Sequence, residues 1–448
     1  MLRKIGWFFR VFRAAAIGAV IRLARRLARR PPRIWHGFTP LHATSWMVQA
    51  ERKAGFPSVS VAFHTRASRY ALVRPEDFDR VFESEANRWD DAHWLAIIDL
   101  LRTADIWNAY YDCLFFNHNQ RTKNVLAFRL IRLVGIRIVV QSHGSDLLCL
   151  GRYPSRYGWP ELAQLDYPAW DLTAYREVVE ERVALFGRFA DFIMAGDPIY
   201  EPILSRSDSS LHTVPVDTES LVPSTPVARA APVIIHAPNH RHVKGTAYLI
   251  DAVAALRDRG IAFELRLIEG IPRHEALKMY TDADIVADQF IMGAFGIFAL
   301  EGLALGKPVL TYLDEQHLSR PIYNHPLVNT TPENLMEVLA VLHAVPDLRA
   351  RLGEASRESV VRYQSFDALA QVWTRIYRHV WWREPLRLES TPPYDSKRTA
   401  RSLSENPGCM EFWPVPVEDL MPRIDEAVQR IRAATQNDSS DGATGSSP

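Results

Sequence analysis

Cysteine is scarce: three residues in 448, Cys113, Cys149 and Cys409, far apart and without CxxC spacing. A chain of this length can bury a core without covalent staples, and an odd count suits a reducing cytosol, so a disulfide framework is excluded. All three are read as packing residues. The leading segment lacks a long apolar run. Its longest uncharged stretch, Ala14–Ile21, falls far below the ~20 residues that a membrane span needs. No small-residue cleavage site follows an adequate apolar core, which excludes a secretory signal. Metal-ligand clusters are missing as well. His240–Arg241–His242 has neither the carboxylate or cysteine company nor the spacing of a zinc site. The expected cofactor is therefore none, with no divalent metal required, and no internal repeat is found beyond two similar halves.

Acidic residues are absent from positions 1–30, which hold nine Lys or Arg; the remaining body carries 44 basic against 52 acidic side chains. A net charge of +1 thus hides an acidic body behind a basic leader, and the acidic body argues against a general nucleic-acid binder. In the leader, Arg22, Arg25, Arg26 and Arg29 share one helical stripe, and Val20, Leu23, Ala24 and Leu27 another. Ile5, Phe8, Phe9 and Phe12 add a bulky apolar face. Three readings stand: a helix lying in an anionic membrane surface, a helix packed on the body or a partner, and a targeting presequence. The first makes the expected location cytoplasmic, peripheral on the inner face of the cell membrane.

Length alone points to two domains. After Pro31–Pro32, candidate strands fall at Arg33–Trp35, Val59–Phe63, Cys113–Phe116, Ile136–Gln141, Phe192–Ala195 and His212–Val214. Helical windows at Thr44–Ala54, Trp89–Leu101, Lys123–Val134 and Tyr175–Phe189 alternate with them. Ser220–Pro232 reads as a linker. The alternation then repeats: strands at Val233–His236, Phe263–Ile268, Asp284–Ala287 and Pro308–Tyr312, helices at Thr246–Arg259, Arg273–Ala283 and Phe295–Leu305. Such alternation predicts parallel sheets covered on both faces. The expected fold is α/β with two Rossmann-like doubly wound domains facing a cleft. Its expected divisions are a leader (1–32), an amino-terminal domain for the acceptor (33–219), the linker (220–232), a carboxy-terminal donor domain (233–365), helices returning to the first domain (366–436) and a disordered tail (437–448). Within the returning segment, Val417–Ala433 reads as an amphipathic helix.

Two segments carry chemistry. In VIIHAPNHRHVKGTAYLI (Val233–Ile250), a loop rich in His240, Arg241, His242 and Lys244 meets Gly245 at a helix start, where unpaired amides and a partial positive charge already favour an anion. Lys244 there suits a diphosphate; the plainer reading is a solvated helix start. In GAFGIFALEGLALGKPV (Gly293–Val309), a glycine-containing loop opens a helix bearing Glu301 among apolar residues. A buried carboxylate needs a partner, either a ribose diol or a structural salt bridge.

These segments, in this order and separation, resemble the retaining GT-B glycosyltransferases of the family-4 type. The resemblance implies that Lys244 and Gly245 hold the donor diphosphate, and that Gly293, Ala294, Phe295, Gly296 and Glu301 hold the sugar and ribose. It also makes His36–Gly37 similar to the family's amino-terminal loop, and His143 in QSHGSD (Gln141–Asp146) similar to a histidine near the transferring sugar, with Asp146 as a cap. Ala190–Asp191 with Ala195–Gly196 resembles the strand before the interdomain connection, and Val214–Asp217 the crossing itself. Two positions depart from the pattern. Gly293 stands where a sugar-contacting glutamate is usual, leaving that contact to Asp288, Gln289 or loop amides. Pro238 stands where an arginine is common, leaving Arg241 as phosphate partner.

The function so implied is transfer of a sugar from a nucleotide-diphosphate donor to a carbohydrate or lipid-linked acceptor, with retention, in surface polysaccharide or glycolipid synthesis. His143, Lys244 and Glu301 are the expected catalytic residues. A non-catalytic sugar-nucleotide-binding protein and a sugar-nucleotide epimerase are the alternatives.

Overall fold

The computed structural model describes residues 2–37, 41–64, 77–83, 91–112, 121–144, 146–147, 156–158, 162, 165–166, 172–224, 229–314, 317, 325–386 and 388. The expected strand at Cys113–Phe116, the helix at Val417–Ala433 and the tail lie outside these residues. The chain divides into two compact units. Unit 1 comprises Met1–Pro154, Tyr167–Thr218 and Arg362–Ser390; unit 2 comprises Ser155–Asp166, Glu219–Val361 and the remainder.

Unit 1 holds helix α1 (Leu2–Leu27) and strands β1 (Ile34–His36), β2 (Ser58–His64), β3 (Arg80–Glu83), β4 (Ile106–Tyr110), β5 (Arg137–Gln141) and β6 (Phe192–Met194). Helices α2 (His42–Lys53), α3 (Asp91–Thr103), α4 (Arg121–Leu133) and α5 (Leu172–Phe189) connect them. All strands are parallel, in the order β3-β2-β1-β4-β5-β6. That is the doubly wound order, which reverses direction between β1 and β4. Strand β4 sits where no strand was expected, because Asn108 interrupts its apolar run. In the sheet that amide is satisfied: Asn108 Nδ2 donates to Tyr377 Oη at 2.8 Å, and its oxygen accepts from Gln141 Nε2 at 3.0 Å. Conversely, His212–Val214 is not a strand. Only isolated bridges, Met194–Ser209 and Val216–Ser365, flank it, and Pro215 removes a ladder donor there. The edge strand β3, partly exposed along its length, gave no clean apolar signal either.

Unit 2 holds β7 (Val233–His236), α6 (Arg241–Lys244), α7 (Thr246–Asp258), β8 (Glu264–Leu267), α8 (Arg273–Thr281), β9 (Ile285–Gln289), α9 (Ile297–Ala304), β10 (Val309–Thr311), β11 (Val328–Asn329), α10 (Leu335–Ala344) and α11 (Pro346–Gln364). Its order is β11-β10-β9-β7-β8, again all parallel, and the direction of winding reverses between β7 and β9. The core joins Ile234, Ile285, Ala287 and Leu310 from the strands to Leu249, Leu256, Leu335 and Leu339 from the helices.

One sequence device recurs three times. Ala104–Asp105, Ala190–Asp191 and Ala283–Asp284 each precede a strand, and each buried carboxylate accepts a backbone amide from the neighbouring strand or its lead-in: Arg33, Ile138 and Val233, at 2.8–2.9 Å. The last helix, α12 (Phe366–Trp382), starts at Ser365, whose hydroxyl accepts from Ala368 N, and belongs to unit 1. It buries Trp373, Tyr377, Val380 and Trp381 against that unit, with Tyr377 Oη donating to Glu51 Oε1 of α2 at 2.5 Å. The same carboxylate faces His36 Nε2 at 2.8 Å.

The leader helix is packed on unit 1, and this corrects the expectation for its arginines. Arg22 is buried: Nη1 donates to the carbonyls of Leu101 and Ala104, and Nε to that of Val134. Arg25 pairs with Asp105, Arg26 lies over the Trp381 ring, and Arg29 reaches Glu384 at 3.7 Å. The arginine stripe expected to meet lipid is turned towards protein. No helix among the described residues is long and apolar enough to cross a membrane.

Candidate functional site

In open parallel sheets, ligands bind outside the carboxyl ends of the strands where the winding reverses. In unit 2 that position is served by the segments leaving β7 and β9. The first runs through α6 to Gly245, whose φ of 71° suits glycine; a Cβ there would also lie 3.1 Å from Ile291 and 3.2 Å from Phe290. Phe290 N donates to Lys244 O at 3.1 Å, which ties the two segments together.

Lys244, Asp288 and Gly296 converge there. Lys244 Nζ donates to Asp288 Oδ1 at 2.9 Å, and Gly296 N donates to Asp288 Oδ2 at 3.0 Å. A Cβ on Gly296 would stand 3.6 Å from the ammonium. A buried carboxylate thus bridges a lysine and the amide at the start of α9. This helix begins at Ile297, two residues later than expected, with Gly296 as a cap that offers no side chain to its first amides. The amides of the α6 turn also meet a carboxylate. Asp166 accepts from Val243 N at 2.9 Å, from His242 N at 3.2 Å and from His242 Nδ1 at 2.9 Å. Both loops therefore bind anionic oxygens, supplied in each case by the chain itself.

The other expected residues fall as follows. Glu301 is buried, and Arg273 Nε donates to it at 2.7 Å. That salt bridge is the partner the chain itself supplies to Glu301, beside the ribose diol that the sequence also allows. Burial raises its carboxyl above the usual range against the pull of Arg273, and the charge of Asp288 adds to the rise, so Asp288 acts on both Lys244 and Glu301. Arg241 is exposed and its Nε donates to Glu269 at 2.8 Å. Gln289 is spent on its own loop: its amide bonds the carbonyl of Ala294, and its oxygen accepts from Met292 N at 2.7 Å. Ala294 and Phe295 are buried, and Phe295 meets His317 and His325 edge to face. Gly293 has φ 86°, and a Cβ there would come within 2.7 Å of Asp314 Cβ. Its carbonyl accepts from Asp314 N at 2.8 Å.

His236, which in sequence only ends an apolar strand, lies beside this site, bonded to Ala287 and Thr246. Its Nδ1 is 2.7 Å from Ala287 O and must donate, so Nε2 accepts from Thr246 Oγ1 at 2.9 Å. Burial, aided by Lys244, lowers its pKa to about 4, which keeps the ring neutral.

In unit 1 the corresponding reversal lies between β1 and β4. His36 belongs to β1 rather than to a loop, and Gly37 is held where a Cβ would stand 2.8 Å from the Trp35 ring. Beyond β5, Asp146 is buried and accepts from Ser142 Oγ and from the amides of Tyr111, His143 and Gly144. His143 Nε2 lies 3.2 Å from Asp112 Oδ2 and 3.9 Å from Asp146 Oδ2. Burial opposes its charge, yet Asp146 and Asp112 prevail and raise its pKa to about 9. His143 is therefore an imidazolium near neutrality, a donor and not a base. Ligand atoms of Asp112, His143 and Asp146 lie within 4.8 Å of one another, a cluster that could take a cation only with His143 deprotonated. Sequence spacing gave no sign of this group, because Asp112 follows a different strand.

No protein-family model matches the chain, and no curated protein matches it. Solved structures do. Sucrose-phosphate synthase from Thermosynechococcus elongatus is 12% identical, with a TM-score of 0.52, 79% of this chain and 100% of that chain covered. Anabaena HepE, in complex with UDP and glucose, is 11% identical, with a TM-score of 0.51 and coverage of 77% and 98%. A glycosyltransferase from Rickettsia africae is 13% identical, with a TM-score of 0.51 and coverage of 79% and 100%. At this identity the likeness establishes the fold, which is GT-B.

Proposed function

We propose, with the GT-B fold as premise, that this chain transfers a glycosyl group from a nucleoside-diphosphate sugar held at the β7/β9 reversal of unit 2. The observation that carries the reading is the meeting of Lys244, Asp288 and the Gly296 amide at the place where such sheets take ligands. That two of the similar structures are named as a synthase and a glycosyltransferase, and a third holds UDP and glucose, supports it.

In this reaction the bond from the sugar's anomeric carbon to the diphosphate breaks through an oxocarbenium-like state. Negative charge then grows on the leaving group. Lys244 and the open amides of α9 stabilise that charge more in the transition state than in the ground state, which is what accelerates transfer. Asp288 holds the ammonium in place and neutralises it until the donor arrives. Glu301, fixed by Arg273, is the acid for the ribose diol. In the same reading His143 donates to the sugar as an imidazolium, configuration is retained, no metal takes part, and the acceptor is a carbohydrate or lipid-linked glycan made at the cytoplasmic side of the membrane.

A thermal-shift panel of nucleoside diphosphates, followed by transfer assays with the sugar nucleotide whose base gives the largest shift, tests this. Lys244→Ala is expected to abolish the shift and to lower kcat by roughly a hundredfold or more, the scale of losing one charge-stabilising donor. Unchanged binding and turnover in Lys244→Ala would sink the proposal. Binding without transfer or hydrolysis would favour the non-catalytic reading, which the bare Gly293 position favours.

A further inference from the structure

Helix α1 carries two apolar faces, and unit 1 uses one. Trp7, Val11, Ala14, Ala15, Gly18 and Arg22 recur every three or four residues and are all buried. Gly18 marks the closest approach to α3: a Cβ there would sit 2.0 Å from Leu101 O and 2.9 Å from Arg22 Nη2. With the carbonyls of Leu101, Ala104 and Val134 holding Arg22, the helix is seated firmly. On the far side of the same cylinder lie Phe8, Phe9 and Phe12 and, about two turns on, Val20, Leu23 and Leu27, all 55–77% exposed. A surface helix of a globular protein has one apolar stripe, facing the core. A second stripe on the far side implies a second apolar environment.

We infer that this outward stripe is a docking face for an anionic lipid bilayer, with α1 lying in the interface and unit 1 fixed to it by Gly18 and Arg22. Charge decides the occupant. Residues 1–30 hold no acidic side chain, and, apart from the arginines engaged with protein, Arg10, Arg13 and Arg30 are exposed. A symmetric contact with a second copy would bring these like charges together, whereas anionic headgroups attract them and the aromatics enter the acyl boundary. The inference rests on unit 1 alone and does not depend on the donor-site reading.

Vesicle flotation of the full chain, with phosphatidylglycerol-containing and purely phosphatidylcholine vesicles, tests it. Binding to the anionic vesicles is expected, weakened by salt. The variant Phe9→Ser/Phe12→Ser/Leu23→Ser should lose roughly a hundredfold or more in vesicle affinity, since two phenylalanines and a leucine no longer leave water. Its melting temperature and nucleoside-diphosphate shift should stay unchanged, because those side chains touch neither core nor donor site. Equal flotation of wild type and variant overturns the proposal. So does equal binding to both lipid compositions, or a dimer that dissociates in the variant.

Discussion

Gly293 shows how a single residue type is dictated by its neighbours. A left-handed φ of 86° and a 2.7 Å approach to Asp314 Cβ leave no room for any side chain. Gly293→Ala is expected to cost about 1–3 kcal/mol, read as a lower melting temperature, since strain and overpacking both oppose it; a neutral or stabilising result would show that the loop takes another path. The glutamate usual at this position in the resembled family cannot be restored here without moving Asp314. At this scale the sequence was legible where the feature is local, as with Gly245 at a helix start; the ion pair of Lys244 with Asp288, 44 residues on, was not. It was silent where the partner is remote. Asp166 is contributed from 76 residues before His242, Arg273 from 28 before Glu301, and His236 reads in sequence as one more residue of an apolar strand.

Among the elements, parallel strands buried on both faces announce themselves as apolar runs, so β1, β2, β5, β6 and the central strands of unit 2 were readable. Strand β4 was not, because the polar side chains that cross-link unit 1 lie inside it. Asn108, Gln141, Tyr377, Glu51 and His36 form one buried chain of hydrogen bonds across β4, β5, α12, α2 and β1. Removing one hydroxyl from that chain leaves a buried carboxylate short of a donor. Tyr377→Phe is accordingly expected to destabilise unit 1 by about 1–3 kcal/mol in urea titration. A change within error would mean that water or another donor replaces the hydroxyl. The three Ala–Asp pairs that open β4, β6 and β9 are a second such device, visible in sequence only as short repeats until their amide partners are seen.

For the molecule as a whole, two histidines set opposite limits on stability. His143 has a folded pKa near 9, above the ordinary 6.5, so its contribution is complete below pH 6.5 and disappears as pH rises to 9. His236 has a folded pKa near 4, so its penalty is absent above pH 6.5 and grows as pH falls towards 4. Each limb amounts to roughly 3 kcal/mol at most. The part of the melting temperature that these two groups govern should therefore peak near pH 6.5. His143→Gln should flatten the alkaline limb and His236→Asn the acidic one; limbs that persist in these variants would assign them to other groups. Because the first histidine lies in unit 1 and the second in unit 2, calorimetry resolving two transitions should find each limb in its own transition.

The location of α12 bears on how the protein is made. Unit 1 begins at the amino terminus but takes its last helix from residues 366–382, after every described strand of unit 2 has been synthesised. Multidomain chains ordinarily fold from the amino terminus as they leave the ribosome. Here that order is inverted: the nascent first unit must wait, with the seat for Trp373 and Tyr377 uncovered and Glu51 lacking its phenol, while the second unit already has its sheet. Chaperone demand should accordingly fall on the amino-terminal half during translation, and a stop codon placed before residue 366 should leave that half unable to complete its core.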